Sequence, residues 1–321
     1  MQASDGDGRL WVLGVRQITT KAGKYILASL EEILHDIDVA SQLTDDSTSR
    51  KILSSISSTM SDRASTQKKF NELLEDFRSD ILKYLGEAWN DMAEEEQLSV
   101  SKLCNFFCSL HALVHIAETA SKSLIEIETG FFETSPILDP TFRKCSEPGT
   151  VRLIRTACKA FARGGDEKNG HHQEFKTFVK PFLEQKKMKY VPLERFRGNR
   201  FNILFDNAAN VFFLKDQMIS FLEIECTNRL LSSVKFDLSV SEFLAGCKAL
   251  GLVCELITSP LWCLVEDEDV HIIEAKDKYQ ELVTYLHNFE NNSQEFIDGK
   301  YLLSFVNQEK LVKSEIYKVL I

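Results

Sequence analysis

Asp62 is the carboxylate of this sequence whose local context is most typical of a catalytic metal ligand. It lies in Met60–Ala64 (Met-Ser-Asp-Arg-Ala), between a β-patterned run and a long amphipathic stretch. Enzymes that cleave phosphodiesters hold two metal ions, about 3.5–4 Å apart, between several such carboxylates. An aspartate just before a helix is equally typical of an N-cap, because its side chain accepts a hydrogen bond from a free backbone N–H. The sequence therefore predicts either a Mg²⁺ ligand or a helix cap at this position.

Four potential zinc ligands recur at helical spacing in the middle of the chain. They lie four, three and four residues apart, which predicts a single stripe on a helix, formed by Cys104, Cys108, His111 and His115. A helix rises about 1.5 Å per residue, so the outer two are too far apart to share an ion whose ligands lie about 2.0–2.3 Å away. At most Cys108 and His111 share a zinc ion, with further ligands from elsewhere. The alternative is a packed stripe, since a thiol behaves as a small hydrophobe.

A strongly basic stretch, residues 180–200, interrupts an otherwise acidic sequence. It contains seven lysines or arginines against two glutamates, with Tyr190 and Phe196 interleaved and Phe201 directly after it. Cations for phosphates and aromatic rings for base stacking are the composition of a nucleic-acid groove. The alternative is a solvated connector whose aromatic residues anchor it to the core. The cations that we predict to contact DNA are Lys186, Lys187, Lys189, Arg197 and Arg200.

The elements that must position these residues begin with a short β/α segment. Leu10–Ile18 is rich in β-forming residues, with Leu10, Val12 and Gly14 alternating with Trp11, Leu13 and Val15, and predicts a strand. Residues 24–39 then have helical spacing. Lys51–Met60 predicts a second strand. Beyond Asp62, apolar residues three or four apart from Phe70 to Leu85 predict an amphipathic helix.

The rest of the sequence is patterned as helices. Gln97–Ile127 predicts one long helix or two abutting ones, and the three prolines of residues 128–150 predict a connector. We therefore predict an α+β, predominantly α-helical fold, with one domain over residues 1–94 and a helical domain over residues 95–321. Further helices are predicted at residues 151–163, 173–187, 201–231, 239–256 and 275–291.

Composition narrows the classes of function. The chain has 321 residues, of which 44% are hydrophobic and 27% charged, enough for one large or two modest domains. A net charge of −10 argues against a protein that coats DNA over its whole surface, but it allows a local basic patch. The polar N-terminus predicts no signal peptide, and the absence of a long apolar run predicts no membrane span. Eight scattered cysteines are typical of reduced thiols inside the cell.

Read in order, several segments together resemble transposases of the hAT superfamily. Trp11–Arg16 resembles the "LGLR" strand of that family's RNase H-like core. Met60–Ala64 resembles the strand that bears the second catalytic acid, and Cys108–His111 resembles the C-x-x-H motif at the start of the helical insertion. Gly198–Asn202 resembles the motif usually written T-R-W, and Ser259–Trp262 resembles a later family feature.

The resemblance implies a partial RNase H-like core followed by a helical insertion domain. It implies that Asp62 is the second acid of a D-D-E set and that His111 contacts a phosphate near the cleaved DNA end. It also implies that Arg200 and Phe201 hold a flipped base, although the family aromatic is usually a tryptophan. The first acid belongs on a strand before Trp11, where only ten residues stand, and the third falls near or beyond the last residue.

One acid out of three predicts a transposase-derived protein that is catalytically inactive and retains DNA binding. Such a protein needs no cofactor; Mg²⁺ enters only if the full-length ancestor is active. We expect it inside the cell, in the nucleus rather than the cytoplasm, with DNA and protein partners and without a membrane. Two alternatives stay open. One is a fragment of an active metal-dependent transposase or nuclease with an incomplete gene model, and the other is a helical protein-interaction scaffold. The sequence does not determine the oligomeric state.

Overall fold

The computed structural model describes all residues except 6, 8, 19, 42–46, 62–63, 85–86, 109, 133–146, 199–201, 268–269 and 271. The described residues are predominantly helical, as predicted, and their four short strands form two separate two-stranded sheets. Contacts between Cα atoms divide the chain into two compact units, Met1–Cys108 and Ser109–Ile321.

The first unit contains both sheets. One is an antiparallel pair in which Ala3 lies opposite Trp11, and the other is a parallel pair in which Ser58 lies opposite Cys104. Parallel strands need a long crossover, and here it consists of helices. Its elements are β1 (Gln2–Ser4), β2 (Leu10–Val12), α1 (Gly23–Ser41), α2 (Ser47–Ser55), β3 (Ser58–Ser61), α3 (Ser65–Leu82), α4 (Glu87–Asn90), α5 (Glu94–Ser101) and β4 (Cys104–Phe107).

The pairing of β3 with β4 explains where the units divide. It draws residues 95–108 into the first unit, so the division falls after Cys108, whereas the sequence placed it after residue 94. Helices α1 and α3 have the predicted amphipathic pattern. They pack around a small core of buried leucines at positions 30, 34, 53, 74 and 103.

Three predicted elements of this unit are wrong in extent or type. The strand predicted over Leu10–Ile18 is only three residues long. The first half of the strand predicted over Lys51–Met60 belongs to helix α2, because Leu53 then reaches the leucine core and is 1% exposed, whereas its last three residues are strand β3. The helix predicted over Gln97–Ile127 is broken by β4, because the free edge of β3 supplies a backbone partner there.

Arg78 of α3 joins two helix ends in the first unit. Its guanidinium is buried and donates to Leu53 O and Ser54 O near the end of α2, at 3.1 and 2.9 Å. It also donates to Val100 O and Ser101 O at the end of α5, at 2.6 and 3.1 Å. The last carbonyls of a helix lack intrahelical partners and carry partial negative charge. One cation therefore caps both helices.

The second unit is all-helical among its described residues. Its central helix is α9, whose Leu204, Phe205, Leu214 and Met218 are fully buried. The elements are α6 (Leu110–Phe132), α7 (Gly149–Phe161), α8 (His172–Gln185), α9 (Ile203–Ile224), α10 (Arg229–Leu238), α11 (Ser241–Val253), a π-helical turn (Cys254–Thr258), α12 (Ser259–Glu266), α13 (Ile272–Asn291), α14 (Ser293–Ile297), α15 (Gln308–Lys313) and α16 (Tyr317–Leu320). The helix predicted over residues 201–231 thus ends at Ile224, and α10 follows it.

Buried carboxylates hold this helical unit together. Glu128 of α6 accepts from Gly149 N–H at 2.5 Å and from Thr150 N–H at 2.9 Å, so it caps the start of α7. Arg152 of α7 donates to both carboxylate oxygens of Asp237 on α10, at 3.0 and 2.6 Å. Burial raises the pKa of Asp237, and the hydrogen bonds and charge of Arg152 act in the opposite direction.

One continuous helical segment, Ser241–Glu266, is long and apolar enough to cross a membrane by length and composition. From the sequence alone, no membrane span was predicted. Half of its most apolar window is buried inside the protein, and Cys247 and Leu256 belong to the core. This packing is typical of a core helix of a folded domain, and the expectation of no membrane partner stays a prediction.

Candidate nucleic-acid interface

Residues 186–198 connect α8 to α9 as a braced, extended segment. Val191 and Leu193 are buried in the core of the second unit, at 6% and 3% exposure. The N–H of Glu194 donates to Oδ1 of Asn207, a fully buried residue of α9, at 2.9 Å. Apolar anchors at alternate positions hold one side of an extended chain to a core and turn the other side outward. The segment is therefore pre-positioned by the helix that follows it.

The outward side of this segment is basic. Between residues 186 and 198 there are five cations and one carboxylate, Glu194. Four of the cations are exposed and have no ion pair within the described part of the chain: Lys187, Lys189, Arg195 and Arg197. Tyr190 is 70% exposed and stands among them, whereas Phe196 packs against the core. The segment thus exposes four cations and one aromatic ring to solvent.

Lys186 differs from its neighbours because its ammonium group is already paired. It donates to Glu315 Oε2 at 3.0 Å, and Lys318 donates to Oε1 of the same carboxylate at 2.6 Å. The hydrogen bonds from Lys318 and Lys186 lower the pKa of Glu315 to about 2. Lys186 is one of the cations predicted to contact DNA, but its charge is already neutralised by Glu315, which lies just before α16.

Lys187 closes helix α8 in an unusual conformation. Its N–H donates to Glu184 O at 3.0 Å, and the N–H of Met188 donates to Leu183 O at 2.8 Å. These are the two bonds of a Schellman motif, whose left-handed residue is usually glycine. Here a lysine has φ 56°. A non-glycine residue pays a steric cost in this region, roughly 1–2 kcal/mol, so a cation stands where the backbone favours glycine.

Asn202, the residue before α9, belongs to a polar cluster that the sequence did not predict. Nδ2 of Asn202 donates to Asp206 Oδ1 at 3.0 Å and to Ser259 Oγ at 3.1 Å. The thiol of Cys254 donates to the same oxygen of Asp206 at 3.0 Å. Cys254 begins the π-helical turn that precedes α12. Such turns are rare and frequently occur at functional sites.

Burial dominates the electrostatics of this cluster. It raises the pKa of Asp206, with the charge of Glu194 adding to the effect, while hydrogen bonds from Cys254 and Asn202 oppose it. Burial likewise raises the pKa of the Cys254 thiol well above its usual value, so the sulfur stays protonated and donates. Oδ1 of Asn202 is buried without a partner among the described residues. No pattern in the sequence signals this cluster, because its members come from three separate elements.

Arg200 and Phe201, predicted to hold a flipped base, lie outside the described residues. So does Asp62. The elements flanking Asp62 are as predicted, since β3 ends at Ser61 and α3 begins at Ser65. The N-cap position of α3 is Ala64, which has no side-chain cap. Both interpretations of Asp62, a Mg²⁺ ligand and a helix cap, stay predictions.

The predicted Cys/His stripe is wrong. Cys104 lies on strand β4 and Cys108 is the last residue of the first unit, whereas His111 and His115 lie on α6 of the second unit. Strand pairing with β3 overrides the helical spacing of the first half of the stripe. Nδ1 of His111 is buried and has no hydrogen-bond partner in the described part of the chain. Within that part, no three His, Cys, Asp or Glu side chains meet as a metal site.

Two pairs of the family-like segments are nevertheless in contact. The N–H of Cys108 donates to Ser61 O at 2.7 Å, so the start of the C-x-x-H segment abuts the strand that leads to Asp62. The side chain of Asn202 donates a hydrogen bond to that of Ser259, so the Gly198–Asn202 segment contacts the Ser259–Trp262 segment.

Fold and site together define a class: a predominantly helical protein that presents a braced, basic, extended segment on its larger unit. No family model matches the chain, and it matches neither a curated protein nor a solved structure.

Proposed function

We propose that this protein is derived from a hAT-type transposase, binds DNA through residues 186–198 and does not cleave it. The observation that carries the proposal is the set of exposed cations on an extended segment whose backbone is anchored by Val191, Leu193 and Asn207. Because the backbone is already anchored, binding a phosphate does not require ordering it, and only the lysine and arginine side chains lose conformational entropy. Tyr190 adds a ring on which a base can stack.

The contacts between family-like segments support the ancestry. In the first unit, Ser61 and Cys108 bring together the strand before Asp62 and the start of the C-x-x-H segment. A parallel pair with a helical crossover, as in β3 and β4, is also the kind of unit from which RNase H-like cores are built. A partial RNase H-like core followed by a helical insertion domain, acting in the nucleus, is part of the proposal.

DNA binding is tested by the salt dependence of affinity. We expect binding of a 25-base-pair duplex to weaken steeply with salt, because each phosphate contact releases counterions. The triple variant Lys189→Ala, Arg195→Ala and Arg197→Ala should lower the slope of log K against log salt by about 2–3. Its matched control removes three exposed lysines elsewhere on the same unit: Lys122→Ala, Lys159→Ala and Lys168→Ala. Equal losses in both variants, or salt-independent binding, would contradict a specific interface and favour a protein-interaction scaffold.

The absence of cleavage needs a separate experiment. Supercoiled and linear DNA are incubated with the protein in Mg²⁺ or Mn²⁺, and we expect no strand breaks above the metal-only control. If the protein cleaves DNA and Asp62→Ala abolishes that cleavage, the proposal that it does not cleave DNA is overturned. It would favour the alternative of an active metal-dependent transposase or nuclease.

A further inference from the structure

The second unit has a pocket of about 790 Å³ beside the C-terminal half of α13. Three aromatic residues, Tyr285, Phe289 and Tyr301, line it together with Glu281 and Glu295. None of its nine lining residues is a lysine, arginine or histidine. The pocket therefore combines aromatic surface with negative charge and has no cation of its own.

The aromatic wall is held in place by its own contacts. The hydroxyl of Tyr285 donates to Tyr301 O at 3.0 Å, which ties α13 to the segment after α14. The rings of Tyr285 and Phe289 are almost perpendicular, at 87°, with centroids 4.3 Å apart. Tyr285 is 8% exposed, whereas Tyr301 is 59% exposed. The ring of Tyr285 thus forms the buried base of the pocket, and the ring of Tyr301 lies at its open side.

The two carboxylates have different roles. Glu281 is engaged, because it accepts from the N–H and the hydroxyl of Ser304, each at 2.5 Å. The ammonium group of Lys278 donates to the same hydroxyl at 2.8 Å and balances part of that charge. Glu295 has no ion pair or side-chain hydrogen bond in the described part of the chain. Its charge is the one that a ligand can neutralise.

We propose that this pocket binds an organic cation, specifically a methylated ammonium group. Such a group is attracted to the negative faces of aromatic rings and is weakly hydrated, so transfer into an aromatic pocket costs little. Glu295 would supply the counter-charge, Tyr301 the exposed ring, and Tyr285 and Phe289 the buried wall. The site is independent of the basic segment and of DNA binding.

The first test compares two molecules of the same shape. Choline carries a trimethylammonium group, and 3,3-dimethyl-1-butanol replaces it by an uncharged tert-butyl group. Titration of the full chain, followed by NMR, should show choline binding about ten-fold more tightly. Equal affinity would show a merely apolar cleft, and that result or no choline binding would overturn the proposal.

Variants then locate the site. Tyr301→Ala and Glu295→Gln should each weaken choline binding about ten-fold, because one removes a ring face and the other removes the charge. Both residues are at least partly exposed, so the fold should persist, as circular dichroism can verify. Tyr84→Ala, which removes an exposed tyrosine outside the pocket, is the matched control and should bind choline normally. Unchanged binding in both pocket variants would overturn the assignment.

Two pairs of ligands distinguish the sources of such a group. Phosphocholine is compared with phosphoethanolamine, and a trimethyllysine peptide with its unmodified counterpart. A preference for the methylated member of either pair supports the proposal and identifies the source as a headgroup or a modified protein. No preference in both pairs overturns it.

Discussion

Asn202 and Ser259, 57 residues apart in the sequence, are joined by a hydrogen bond of 3.1 Å from Nδ2 to Oγ. The bond fixes the start of α9 to the start of α12. It also places the residue before α9 beside the π-helical turn that begins at Cys254.

Ser259→Ala should lower the free energy of unfolding of the second unit by about 1 kcal/mol. It removes one acceptor from the NH2 group of Asn202, a buried amide whose oxygen has no partner among the described residues. Hydrogen exchange of the amides in α9 and α12 measures the loss locally. Ser241→Ala removes a serine that is exposed on α11 and should have almost no effect. A similar loss in both variants would show that the cluster has no special role.

Asp206→Asn should stabilise the protein at neutral pH. Burial raises the pKa of Asp206 above its usual value of 3.8. A carboxyl with a raised folded-state pKa favours folding most at low pH, and this contribution is lost as the pH rises through that pKa. The variant carries no charge, so its advantage should appear above the folded-state pKa and vanish towards pH 3. Urea unfolding at pH 3, 5 and 8 checks the sign, and a less stable variant at pH 8 would contradict it.

Lys187→Gly should make the protein more stable and, at the same time, weaken its binding to DNA. Glycine relieves the left-handed backbone at φ 56° and should stabilise the end of α8 by about 1 kcal/mol. Loss of the charge should reduce the salt slope of DNA binding by about 0.9. Lys187→Ala is the control, because it removes the same charge and leaves the backbone cost in place. Thermal unfolding and DNA titration of both variants measure the two effects; equal stabilities would contradict the backbone argument.

Glu315→Gln should strengthen DNA binding, on the proposed function, by releasing Lys186. The freed ammonium group adds up to one phosphate contact, so the salt slope should steepen by at most about 0.9. Because the pKa of Glu315 is about 2, the ion pair persists in the parent protein between pH 5 and 8. Affinity should therefore not depend on its titration in that range. Glu309→Gln removes the same charge from a glutamate paired with Lys313 and should have little effect.

Arg78→Met should destabilise the first unit by about 3 kcal/mol. It leaves four carbonyls at the ends of α2 and α5 without their buried donor. Hydrogen exchange in these two helices should rise together, because one side chain caps both. Lys83→Met, which breaks an exposed pair with Asp80, is expected to cost less than 1 kcal/mol. Faster exchange in only one helix would contradict the shared cap.

The sequence by itself determined the elements that have a strong helical period. Helices α1, α3, α8 and α13 were predictable because their apolar residues recur every three or four positions over several turns. The composition of the basic segment was likewise visible in the sequence. Both are properties of neighbouring residues, which sequence periodicity and composition report directly.

Only the tertiary structure decided the short strands and helices and the polar cluster at the start of α9. Cys104–Phe107 is a strand because β3 offers it a hydrogen-bonding edge. The first half of Lys51–Met60 is helical because Leu53 then reaches the core and Arg78 caps the end. Asn202, Asp206, Cys254 and Ser259 meet because α9, the π-helical turn and α12 pack together. Hydrogen bonds between residues far apart in the sequence depend on which surfaces meet after folding. Local sequence patterns do not predict which surfaces these are.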